Sequence, residues 1–156
     1  KIKARRFLYE NKSDIKTSTL AQALHAIDAI TPPQYVALTA FMPESDALTE
    51  AFMKLRSAIS EKTGAATTFS YGPRYLHSMG QLYKGGPNNY SVLCFVSGKH
   101  DDLPVPNATY TFEQLTRALA EGDLETMAQY GQNVNQFRFG HNAVEELQYG
   151  IQEIFG

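Results

Sequence analysis

Cysteine is nearly absent: Cys94 stands alone among 156 residues, so no internal disulfide can form and nothing calls for an oxidising compartment. Charge of one sign is equally scarce. Lys and Arg number 14, Asp and Glu 16, and the formal net charge is −2. Binding to a phosphate backbone needs a concentrated basic patch, so nucleic acid is not an expected partner. The small basic cluster from Lys1 to Arg6 reads as a solvated lead-in. No apolar run approaches the roughly 18 residues of a membrane helix, and the start carries no signal-peptide pattern. A membrane is therefore not an expected partner, and cytoplasm is the expected compartment. Internal repeats and low-complexity segments are missing as well. His100, Asp101 and Asp102 have no second cluster at ligand spacing, so no metal is expected.

What is present describes a folded globule. Hydrophobic residues make up 43% and charged residues 19%, a balance that supports a core and argues against disorder. The length suits one domain. The chain opens on Lys1, which reads as a piece of a longer polypeptide. Residues 1–17 are polar and weakly patterned, a leading segment or linker, and 18–156 form the expected domain.

Periodicity places the elements. Leu20, Ala23, Leu24, Ile27 and Ile30 predict a helix over 18–30, stopped by Thr31-Pro-Pro33. The apolar run 35–42 predicts a strand covered on both faces. Ser45 or Asp46 can cap the next helix, whose stripe is Leu48, Phe52, Leu55 and Ile59 and whose stop is Gly64. Residues 65–71, 90–96 and 133–139 read as further strands. Thr111 and Gln114 form a capping box for a helix carrying Phe112, Leu115 and Leu119. Gly122 is expected to end it, with Asp123 capping a second short helix. Val144, Leu147, Ile151 and Ile154 give a last helix, which His141 helps to start, with Glu145 and Glu146 on its solvated face. Strands alternating with helices predict an α/β layer fold with a mostly parallel sheet.

The densest chemistry lies in Tyr71-Gly-Pro-Arg-Tyr-Leu-His-Ser-Met-Gly-Gln-Leu-Tyr-Lys-Gly-Gly-Pro87. Read as one helix, it puts Arg74, His77, Gln81 and Lys84 on one face, with Tyr75, Met79 and Leu82 toward the core. Thr67, Thr68 and Ser70 are placed at the carboxyl end of the preceding strand, where α/β sheets bind ligands. Pro73 at the helix start leaves amide donors and the positive dipole end for an anion such as phosphate. His77 can exchange a proton near neutral pH, and Gly85 and Gly86 would let the backbone approach a ligand closely. Ordinary capping explains the same turn, and Lys84 at a helix end also complements the dipole. Cys94, inside an apolar strand, reads as inert core.

The run Gly72-Pro-Arg-Tyr-Leu-His-Ser-Met-Gly-Gln-Leu-Tyr-Lys-Gly-Gly-Pro-Asn88 resembles the phosphoglucose isomerase family, specifically the isomerase portion of bifunctional transaldolase/glucose-6-phosphate isomerases. Those carry Gly-Pro-Arg-(Tyr/Phe)-Leu-His-Ser-Thr-Gly-Gln-Leu-His-Lys-Gly-Gly-Pro. Here Met79 replaces the threonine and Tyr83 the second histidine. The strand leading to Pro43, the loop Asp102-Leu-Pro-Val-Pro106 and Tyr110-Thr-Phe112 agree too, so the resemblance covers residues 34–140.

The resemblance implies a sugar-isomerase (SIS-like, flavodoxin-like) three-layer sandwich. It also implies interconversion of glucose 6-phosphate and fructose 6-phosphate through an enediol, without cofactor or metal. Lys84 matches the lysine near the ring oxygen, and His77 and Gln81 match motif positions around it; Lys84 and His77 are the expected catalytic residues. Arg74, Gln81, Thr67, Thr68, Ser70, Gly85 and Gly86 are the expected substrate contacts. The family's base is a glutamate of an earlier domain and its catalytic histidine comes from another region, often a neighbouring subunit. No counterpart of that glutamate is found here. The expected partners are thus a small sugar phosphate, upstream domains or a partner subunit, and a possible homodimer. The alternatives are a non-catalytic sugar-phosphate-binding module and a purely structural or dimerising domain.

Overall fold

Two strands of this chain carry almost no exposed side chains. The computed structural model describes residues 16–17, 20–25, 27–98 and 102–156. In it β2 (Tyr35–Phe41) and β4 (Tyr90–Val96) are buried along nearly their whole lengths, as continuous apolar runs in a covered parallel sheet should be. They pair side by side, with Leu38 opposite Leu93. Around them lie β1 (Lys16–Thr17), β3 (Ala66–Tyr71) and β5 (Asn133–Arg138), in the order β1-β5-β4-β2-β3, every pairing parallel.

Alternation along the central strands sends side chains to two cores. Leu38, Ala40, Leu93 and Phe95 meet α1 (Leu20–His25), α2 (Asp46–Thr63) and α5 (Ala143–Phe155), through Leu24, Phe52, Leu55, Ile59 and Leu147. Ala37, Phe41, Val92 and Cys94 meet α3 (Met79–Gly85) and α4 (Phe112–Gln129), through Tyr83, Leu124 and Met127. Burying one such Leu or Phe contributes about 1.5–3 kcal/mol. The result is the expected α/β three-layer sandwich on a parallel sheet.

Local signals set several boundaries. Ser45 Oγ accepts from the Leu48 amide at 3.2 Å to start α2, and Gly64 ends it at φ 68°. The Thr111–Gln114 capping box forms. Other expectations are corrected. Residues 16–17 of the leading segment form β1, while 1–15 lie outside the described residues. The first helix stops at His25 and continues to Ile30 as tight i→i+3 turns. Gly122 does not break α4, because buried Ala120, Leu124 and Met127 on either side hold one continuous helix. Its stripe is therefore not the expected one: Phe112 and Leu115 are exposed. Asn142, not His141, caps α5, and Glu146 accepts from the Gly140 amide at 2.8 Å.

Candidate functional site

The connection after β2 leads to α2 on one face, and the connection after β4 leads to α4 on the other. The carboxyl ends of these neighbours are thus a topological switch point, where open α/β sheets form a crevice. A cavity of about 260 Å³ lies there, lined by Gly72, Pro73, Ser97, Phe112, Glu113 and Thr116. Close approach shapes it: a Cβ on Gly72 would stand 2.5 Å from the Phe41 ring.

The motif residues do not share one face. Arg74–His77 form a single 3-10 turn and α3 begins only at Met79, with Ser78 between them at φ −137° and ψ −90°. Arg74–His77 is a four-residue turn, too short to build the extended dipole that the anion site expected at Pro73 relies on. Arg74 turns outward to Glu44 at 2.9 Å. His77 and Gln81 are exposed. Leu82, expected in the core, is 47% exposed, and Tyr83 is buried in its place.

Lys84 turns inward. Its ammonium stands 2.5 Å from Asp123 Oδ1, an ion contact rather than an aligned hydrogen bond, while the Tyr75 hydroxyl donates to Oδ2. Asp123 lies eleven residues past Phe112 on α4, about 16 Å along the axis at 1.5 Å per residue. Lys84 is therefore near the amino ends of the strands, away from the crevice.

Thr67 and Thr68 are the second and third of the six residues of β3, in its amino-terminal half and not at the carboxyl end. Thr67 accepts from Arg56 twice, at its carbonyl (2.8 Å) and its Oγ1 (3.3 Å). Thr68 Oγ1 bonds the Tyr83 hydroxyl at 2.9 Å. Ser70, nearer the carboxyl end, also approaches that phenol. Gly85 is open, whereas a Cβ on Gly86 would meet the Leu82 carbonyl oxygen at 2.5 Å, so Gly86 serves the end of α3.

An aromatic chain runs through the core on the α3 side of the sheet. Phe41, Tyr75, Tyr83, Tyr90 and Tyr35 follow one another with ring centroids 5.0–5.8 Å apart. Tyr90 donates to the Tyr83 carbonyl. Burial, and then the Asp123 charge, pushes the Tyr75 phenol well above its ordinary range, and burial raises Tyr83 and Tyr90 likewise. Cys94 is inert core, its thiol pushed up to about 12 by burial.

Asp123 is not the helix cap that its place after Gly122 suggests. Its position in the stripe Ala120, Leu124, Met127 is the signal that marks it, since a charge on a buried helix face needs a partner. Among the described residues no cluster of three or more His, Cys, Asp or Glu is placed to hold a metal, and no helix is long and apolar enough to cross a membrane. His100 and Asp101 lie outside the described residues.

No protein-family model and no curated protein matches the chain. Among solved structures it is similar to a hypothetical protein from Thermus thermophilus, at 18% identity and TM-score 0.65 over 86% of this chain. That likeness is one of fold. The chain spans 38% of the length of that protein.

Proposed function

We propose that this chain is the C-terminal part of a glucose-6-phosphate isomerase, joined to or assembled with the domains that supply the base. The observation that carries this reading is the run from Gly72 to Asn88, set on a parallel three-layer sandwich. The reaction would move a proton between C1 and C2 of the opened sugar phosphate through an enediol. In this reading the exposed His77, Gln81 and Arg74 meet the substrate or the neighbouring domain. Lys84 serves as a fixed cation whose charge is held by Asp123. The glutamate base comes from upstream sequence or a partner subunit, a homodimer being one such arrangement, and the protein acts in the cytoplasm.

One observation favours a second reading, a non-catalytic sugar-phosphate-binding or dimerisation module: the Lys84 ammonium is already committed to Asp123. A coupled assay for isomerisation of fructose 6-phosphate separates the two. It should be run on the 156-residue chain and on the longest polypeptide that carries it. Turnover by the longer form, lost on His77→Ala, supports the isomerase. An inactive long form whose amides still shift on adding fructose 6-phosphate supports the binding module.

A further inference from the structure

The crevice at the ends of β2 and β4 holds none of the substrate contacts expected from the sequence, yet it has the features of a binding site. One wall is Phe112, a residue 49% exposed. A mostly apolar cavity with a few polar groups converging on it has the usual make-up of a small-molecule site. The hydroxyl-bearing Ser97 and Thr116 line the same cavity. Ser97, Glu113 and Thr116 also border a small adjoining pocket that Arg138 lines, where Glu113 Oε1 and Arg138 Nη1 face each other at 3.8 Å, too far for a direct hydrogen bond. A hydroxyl placed there could donate to the carboxylate at about 2.7 Å and accept from the guanidinium at about 2.9 Å, distances that close a triangle on that gap.

The site does not suit an anion. The first amides of α4 are already taken: Phe112 N–H by the Leu103 carbonyl at 2.9 Å, Glu113 N–H by Asp102 Oδ1 at 3.0 Å, and Gln114 N–H by Thr111 Oγ1 at 3.2 Å. The carboxylates of Asp102 and Glu113 would also repel a phosphate. What remains is an aromatic face for weakly polar C–H groups and several partners for hydroxyls.

We infer that this crevice binds an uncharged sugar ring, stacked on Phe112 and hydrogen-bonded by Glu113, Arg138, Ser97 and Thr116. The site is separate from the Lys84 region and does not depend on isomerisation. The test is an amide NMR titration of the 156-residue chain with methyl β-D-glucopyranoside, and in parallel with inorganic phosphate. The glycoside should produce saturable shifts at Gly72, Ser97, Glu113 and Thr116. Phe112→Ala, at an exposed residue, and Glu113→Gln, which keeps the side-chain size at a half-buried one, should each weaken it about tenfold, the loss of a contact worth roughly 1.4 kcal/mol, while the remaining spectrum stays folded. No saturable shift with the glycoside, equal affinity in Phe112→Ala, or phosphate moving the same amides would each overturn the inference.

Discussion

Lys84 and Asp123 meet at 2.5 Å across the seam between α3 and α4, the lysine side chain 28% exposed and the aspartate 2%. A carboxylate so deeply placed is tolerated because a cation and the Tyr75 hydroxyl share it.

Removing one partner should cost more than removing both. Lys84→Ala leaves Asp123 buried without a counter-charge and should destabilise the chain by about 3 kcal/mol. Lys84→Met combined with Asp123→Leu should recover part of that loss, the remainder being the buried Tyr75 hydroxyl left without its acceptor. Urea unfolding of the single and double variants checks this, and equal losses would mean the pair is not coupled. Any loss of activity in Lys84→Ala then has to be judged against its folded fraction.

Glycine substitutions should divide by what surrounds them. Gly72→Ala drives a methyl into the Phe41 ring at 2.5 Å and should cost about 1–3 kcal/mol. Gly85→Ala enters open space at the end of α3 and should be neutral or stabilising by up to about 1 kcal/mol. Thermal unfolding distinguishes them, and a destabilised Gly85→Ala would contradict this packing.

Thr111→Ala removes the hydroxyl that accepts from Gln114 N–H at 3.2 Å. The expected loss is about 1 kcal/mol, or a drop of about 2–4 °C in Tm for a chain of this size. Thr111→Ser should keep nearly all of it.

Stability should fall on the alkaline side. In the folded chain the Cys94 thiol sits at about 12, against 9.0 ordinarily, and Tyr75, Tyr83 and Tyr90 are raised in the same direction by burial. As pH rises past the ordinary thiol value, the unfolded chain loses protons that the folded chain keeps. Unfolding is then favoured progressively. The urea midpoint should hold steady near neutrality and decline above about pH 9. Cys94 should react with a thiol reagent only as the chain unfolds. Rapid labelling of the native chain at neutral pH would show that the strand is not sealed.

Much of the fold is legible in the sequence because its signals are local. The run 90–96 matches β4, and Ser45, Gly64 and the Thr111–Gln114 box bound their helices through neighbours within four residues. The site is less legible because its partners are distant in sequence. A 3.6-residue repeat drawn through Arg74, His77, Gln81 and Lys84 assumes one helix, but the turn at Ser78 rotates the two halves apart, so Arg74 finds Glu44 and Lys84 finds Asp123. Glycine at 122 resembles a stop because helix propensity is local, whereas burial of Leu124 and Met127 is a property of the whole sandwich. The end of β3 follows from the sequence, but Thr67 lies toward the amino end and Thr68 in the middle, not at the carboxyl end a ligand site requires, and their hydroxyls serve Arg56 and Tyr83.

β3 is the outermost strand on its side, with no neighbour beyond it among the described residues. Such a border invites strands of other molecules to add on and build aggregates. Arg56 reaches over from α2 and occupies the Thr67 carbonyl. A cation thus occupies a backbone acceptor that an invading strand would need, and replacing Arg56 with an apolar residue should make the chain prone to self-association in concentrated solution.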